Sequence, residues 1–145
     1  MYLLDTNVIS EFRKKQDANQ NVINFFTQND QKDFYLCAQV IGEIQAGIQK
    51  LIDKGDTSRA RIYQDWLQDD LLTNFPGRIL PFDLDAARMW GKLNTGVKKD
   101  SHTADRQIAA IALTRWSMTV VTRDVDSPGF QAGAHYGLSL LNPFV

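Results

Sequence analysis

Four carboxylates stand out by where they fall against the apolar runs of this sequence: Asp5, Glu43, Asp105 and Asp124. Asp5 ends the unbroken stretch Tyr2-Leu-Leu4, and Asp124 follows Met118-Thr-Val-Val-Thr122 after a single Arg. Glu43 and Asp105 come early in two long helical patterns. Like charges gathered at one point repel and raise one another's pKa, so such a cluster is stable at neutral pH only when protons or cations neutralise it. Carboxylate oxygens without a metal-spaced His or Cys favour a hard divalent ion, Mg²⁺ or Mn²⁺, over zinc. Such an ion lowers the pKa of water and neutralises charge on a phosphoryl oxygen, and two ions clamp the attacking and leaving oxygens. The chemistry indicated is phosphodiester hydrolysis.

Each acid taken alone also has a plain structural reading. Asp5-Thr-Asn7 is ordinary turn and cap chemistry, and an acid in a first helical turn complements the macrodipole. What separates this set from ordinary caps is a shared placement. If the strands are parallel, their carboxyl ends and the helix starts that follow lie on one edge of the sheet, where all four acids converge and where ligands bind in open α/β folds.

The elements that must position them follow from periodicity. Tyr2 to Leu4 reads as a strand buried on both faces, followed by a helix from Thr6 to about Lys15 with Val8, Ile9 and Phe12 inward. Asn21 to Asn29 reads as a short helix and Phe34-Tyr-Leu-Cys37 as a second strand. From Gln39 to Lys54 runs a long helix with Ile41, Ile44, Ile48, Leu51 and Ile52 as its stripe and Glu43 on its flank. Across the Gly55-Asp56 turn, Thr57 to Phe75 reads as one amphipathic helix presenting Ile62, Trp66, Leu67, Leu71 and Leu72, so that the two make a helical hairpin. Arg78 to Phe82 is expected to be a short edge strand and Asp83 to Val97 a helix with Trp90 in the core. Thr103 to Trp116 is an Ala- and Ile-rich helix with Asp105 turned inward. Met118 to Thr122 reads as a buried strand, Asp126 to Gly137 as a loop with a Ser127-Pro-Gly129 turn, and Leu138 to Leu141 as a last edge strand. Alternating strands and helices give an α/β sandwich with a mainly parallel sheet.

Composition sets outer bounds. The 145 residues suit one domain, residues 1–145, and 43% hydrophobic with 23% charged residues excludes a disordered chain. A net charge of −1 gives no global basic footprint, so a nucleic acid has to be met by local cations or bound metal. The single cysteine, Cys37, reads as a buried structural thiol in a reducing compartment. Neither a signal peptide nor a membrane span is legible, and a cytoplasmic protein is expected.

Leu3-Leu-Asp-Thr-Asn-Val-Ile-Ser10, Gly42-Glu43, Asp105-Arg-Gln-Ile-Ala-Ala-Ile-Ala112 and Thr122-Arg-Asp124, in this order, resemble the acidic motifs of PIN-domain ribonucleases, and most of all VapC-type toxins of toxin–antitoxin pairs. The resemblance spans nearly the whole chain, including the late Asn142-Pro-Phe144. It implies a three-layer PIN-like sandwich with about five parallel strands flanked by helices, Mg²⁺- or Mn²⁺-dependent endoribonuclease activity, a homodimer and a cognate antitoxin. It also implies that Asp5, Glu43, Asp105 and Asp124 are the catalytic, metal-binding acids, with Asp5 or Glu43 able to orient the attacking water as general base. Thr6, Asn7 and Thr122 are the implied substrate-binding positions, and Arg106 and Arg123, each beside a site acid, are candidate phosphate contacts at the substrate. Departures from the family pattern lie at Ala38-Gln-Val-Ile41, where a Ser or Thr is common, and after Arg123, where many members have Asn. The fourth acid is therefore Asp124 or Asp126.

Arg13, Lys14, Lys15, Lys98 and Lys99 are further candidate phosphate contacts, although exposed Lys and Arg are mostly plain surface. An aspartyl-phosphate phosphatase is disfavoured because Asn7 stands where a second Asp is needed. Ser101-His102 beside Asp100 or Asp105 lacks the strand–Gly-x-Ser-x-Gly elbow of a hydrolase, and His102 and His135 read as loop residues. The alternative from another class is a PIN-fold module that grips RNA or a protein without cutting.

Overall fold

A computed structural model describes residues 1–97 and 102–145. Among them a five-stranded parallel sheet has the order β3-β2-β1-β4-β5. It comprises β1 (Tyr2–Leu4), β2 (Phe34–Cys37), β3 (Ile79–Leu80), β4 (Thr119–Val121) and β5 (Ser139–Leu141). The central strand β1 pairs Tyr2 with Phe34 on one side and Leu4 with Val121 on the other. Chain order runs outward through β2 and β3, then restarts beside β1 with β4. The β1–β4 boundary is thus the topological switch point, where such sheets open a crevice.

Helices α1 (Thr6–Phe12), α2 (Gln20–Gln28), α3 (Ala38–Asp53) and α4 (Thr57–Asp65) precede β3, and α6 (Leu84–Leu93), α7 (Thr103–Thr114) and α8 (Pro128–Ala134) follow it. Leu3, Leu4, Leu36, Ile108, Ile111, Val120 and Phe130 are fully buried and form the centre of the core. No described helix is long and apolar enough to cross a membrane.

Four expectations need correction. The first helix stops at Phe12 rather than Lys15, because Lys15 takes a left-handed φ of 55° and begins a 3₁₀ turn. The expected helix Thr57–Phe75 is α4, a π-helical stretch Trp66–Leu71 and a final turn, α5 (Leu72–Asn74). Within it Trp66, Leu67 and Leu71 are buried, but Ile62 is 58% and Leu72 39% exposed. The buried face of α4 is marked by Ala60, two residues from Ile62 and so about 200° round a helix. The π turn then resets the phase, with the Leu72 N–H reaching back to Leu67 O. On α3 the buried stripe is Val40, Ile44 and Ile48, while Ile52 is 45% exposed.

The fourth correction is the segment read as a loop, which contains α8. Two glycines, one turn apart, weaken its intrinsic propensity. Those same glycines let it pack. A Cβ on Gly133 would lie 3.0 Å from Ala109 Cβ and 2.7 Å from Leu138 Cδ2, and one on Gly129 would lie 2.6 Å from Asp105 Cβ. Close packing on α7 therefore overrides propensity.

Candidate active site

Asp5 sits at the carboxyl end of β1 and is 5% exposed. Its Oδ1 accepts from the Thr6 N–H at 2.8 Å, which caps α1, and its Oδ2 accepts from Thr122 Oγ1 at 2.7 Å. One carboxyl thus starts the helix and ties β1 to the end of β4. Burial is the main cause that pushes its pKa up to about 6, and the nearby Glu43 and Asp105 carboxylates push the same way. The bonds from Thr122 and Thr6 partly oppose them.

Asn7, in the first turn of α1, is the hub of the polar net. Its Nδ2 donates to Asp124 Oδ2 at 3.1 Å and lies 3.3 Å from Thr122 Oγ1 and 3.4 Å from Asp5 Oδ2, while its Oδ1 accepts from the Arg123 N–H at 3.1 Å. The Asp124 N–H in turn donates to Thr122 Oγ1 at 3.0 Å. Thr122 is fully buried, so its hydroxyl serves Asp5 and Asp124 rather than an incoming ligand. Glu43 projects from the second turn of α3 and accepts from Thr6 Oγ1 at 2.6 Å. Thr6, Asn7 and Thr122 therefore join Asp5, Glu43 and Asp124 into one network.

Asp105 enters from the other side, in the first turn of α7. Its Oδ2 accepts from Ser127 Oγ at 2.5 Å and lies 3.7 Å from His102 Nδ1. Asp105, Asp124, Asp126, His102, Arg123 and Ser127 line an open cleft of about 430 Å³. Both candidates for the fourth acid thus face the cleft, and of the two Asp124 is the one bonded to Asn7.

The cations divide sharply. Arg123 is exposed at the cleft, with its guanidinium stacked 4.0 Å over the Phe144 ring. Arg106, expected at the substrate, is instead 2% exposed and donates from Nε to Asn94 Oδ1 at 2.9 Å. The reason is its position on α7 beside Ile108 and Ala109, which turns it into the protein. Arg13 stacks 4.4 Å over Tyr63 and Lys14 pairs with Glu11 at 2.7 Å. Lys98 and Lys99 lie outside the described residues. Cys37 is fully buried, with burial pushing its thiol up to about 12, as a structural thiol requires.

Ser127 and Gly129 are the residues that sequence reasoning missed at this site. A Ser directly before a Pro is a helix-start signature, since Pro suits the first helical position. The glycine that follows disguised it as a turn.

The donor set suits a hard cation, being all carboxylate oxygen with one acid desolvated and raised in pKa by its neighbours. Among the described residues no three His, Cys, Asp or Glu side chains are gathered closely enough to hold a metal ion between them.

The chain matches the PIN domain family across residues 2–132. It is 35% identical to VapC ribonuclease Y4jK of Sinorhizobium fredii, over 99% of this chain and 98% of that protein. It is likewise 35% identical to toxin FitB of Neisseria gonorrhoeae, over 88% of this chain and 90% of that protein. The crystal structure of FitAcB from Neisseria gonorrhoeae superposes with a TM-score of 0.81 at 33% identity, covering 99% of both chains. Fold and sequence agree along almost the full length, and the chain belongs to the PIN domain family.

Proposed function

We propose that this protein is a metal-dependent endoribonuclease and the toxin of a toxin–antitoxin pair. The observation that carries the reading is Asp5, a buried carboxyl with its pKa raised to about 6 at the switch point of the sheet, with Glu43 and Asp105 near enough to repel it. An arrangement that costs stability without a cation is the arrangement expected of a cation site. Asp5, Glu43 and Asp105 would hold Mg²⁺ or Mn²⁺, with Asp124 completing the acidic set. A divalent ion there supplies Lewis acidity toward water and a phosphoryl oxygen.

The side chains do the rest. One of the acids, Asp5 or Glu43, would orient the attacking water as general base and take its proton. Thr122 and Asn7 fix the Asp5 carboxyl, so no reorganisation is needed as charge develops. Arg123, held flat on Phe144, presents its guanidinium to an RNA phosphate. Similarity to proteins named VapC ribonuclease and toxin FitB supports RNA as substrate and a cognate antitoxin as partner. Ile52 and Ile62, exposed on the α3–α4 hairpin, leave apolar area for a second copy in a homodimer. The protein would act in the cytoplasm.

The test compares wild type with Asp5→Asn on single-stranded RNA in Mg²⁺, Mn²⁺ or EDTA, with unfolding midpoints measured on the same samples. Wild type should cut only with an ion and gain stability from it by roughly RT ln(1 + [L]/Kd). Wild type that neither cuts nor gains stability overturns the nuclease, and the non-catalytic binding module takes its place.

A further inference from the structure

The hydrogen bonds that knit Asp5, Glu43 and Asp124 together do not extend to Asp105 among the described residues. Asp105 depends instead on α8. Ser127 stands at the N-cap of that helix, before Pro128, in an extended conformation (φ −55°, ψ 133°). A serine there ordinarily accepts a bond from a backbone N–H of its own helix. Ser127 does not; its hydroxyl donates to Asp105 Oδ2 at 2.5 Å. Its N–H donates to Asp124 O at 2.9 Å, so one residue links the turn of Asp124 to the carboxylate of Asp105.

Gly129 sets the distance. A Cβ at this position would meet Asp105 Cβ at 2.6 Å, His102 O at 2.9 Å and Arg106 N at 3.1 Å, closer than side chains tolerate. Phe130, fully buried, anchors the helix beside it. The contact is thus built from three adjoining features: a diverted cap hydroxyl, a glycine clearance and a buried anchor.

From these we infer that Ser127 is a positioning residue for Asp105, orienting its carboxylate toward the cation, with Gly129 permitting the approach. This rests on the nuclease reading above. A group that bonds to a metal ligand fixes its orientation, and loss of such a partner typically costs about 10- to 100-fold in metal affinity or activity.

The experiment measures Mn²⁺ affinity by calorimetric titration, and RNA cleavage with kcat and KM separated, for wild type, Ser127→Ala, Ser127→Thr and Asp105→Asn with and without Ser127→Ala. Ser127→Ala should weaken Mn²⁺ binding about tenfold or more and lower kcat with little change in KM, while Ser127→Thr, which keeps the hydroxyl, restores both. In the Asp105→Asn background Ser127→Ala should add nothing. If wild type binds Mn²⁺ and cuts RNA while Ser127→Ala stays within about twofold on both, the positioning role alone is overturned, whatever its unfolding midpoint. Wild type that binds no Mn²⁺ and cuts no RNA overturns the nuclease reading and this role with it.

Discussion

On one side of the site, Asp5 is locked by groups from a strand end and the helix start beside it: the Thr6 N–H, Thr122 Oγ1 and the Asn7 amide. On the other, Asp105 is placed by the approach of two helices, α7 and α8, with Ser127 as its short contact and Gly129 as the clearance. The strand-end side buries its acid to 5% exposure and raises its pKa, whereas the Asp105 side leaves the acid half-buried. The difference teaches that equivalent chemical groups can be held by unlike means. A hydrogen-bond net acts through charge and orientation, and a glycine clearance acts through distance.

If both sides serve one reaction, removing either acid should be equally severe. Asp5→Asn and Asp105→Asn are each expected to lower RNA cleavage by roughly 10²- to 10⁴-fold in single-turnover assays with Mn²⁺. Near wild-type cleavage from either variant would break the comparison by showing that one side is only structural.

Stability against pH should separate them next. Asp5 has its folded pKa raised to about 6 from 3.8. It binds its proton more tightly folded than unfolded, so its contribution is fully present below the unfolded value and is lost as pH rises through about 6. In EDTA, urea unfolding should show wild type losing up to roughly 3 kcal/mol from this group between about pH 4 and pH 7. Asp5→Asn, which keeps a good cap residue, should lack that loss and be the more stable protein at neutral pH. A wild-type profile that rises over this window would contradict the buried, raised acid.

Smaller effects come from the supports. Gly129→Ala replaces a helical glycine, a change that ordinarily gains about 1 kcal/mol. Here the new methyl meets Asp105 and the start of α7, and a loss of about 1–3 kcal/mol is expected instead. The sign of that change tests the clearance. Thr122→Val, of similar shape, should cost about 1–3 kcal/mol by removing the shorter of the two bonds to Asp5 Oδ2, leaving only the 3.4 Å contact from Asn7. Last, Asp126→Asn should reduce cleavage by less than about tenfold and Asp124→Asn by more, because Asp124 carries the bond to Asn7. The reverse order would make Asp126 the fourth acid.

Much of the Asp5 side was legible in the sequence. An apolar run ending in Asp-Thr-Asn names a buried strand, a helix cap and an acid at their junction, and the structure gives β1, the Asp5 cap and α1. These are short-range rules, since strand alternation, capping and helical period act over a few residues. Parallel pairing followed from the alternation of strands and helices, and the placement of β1 between β2 and β4 realised it. Ile62 shows where the same rules fail: the local pattern turns it inward, and it is exposed because α3 beneath Ala60 decided the face. Arg106 is named in the sequence for its place beside Asp105, and its burial against Asn94 at the end of α6 lies beyond any local rule.

The sequence by itself determined the strands, the acids near their ends and near helix starts, and the order in which they occur, because those depend on hydrophobic period and local hydrogen bonding. Only the tertiary structure decided that residues 128–134 are a helix and that Ser127 reaches Asp105. Local propensity argues against a helix bearing Gly129 and Gly133. Its stability comes from packing on α7, a contact between residues about twenty positions apart that no local rule contains.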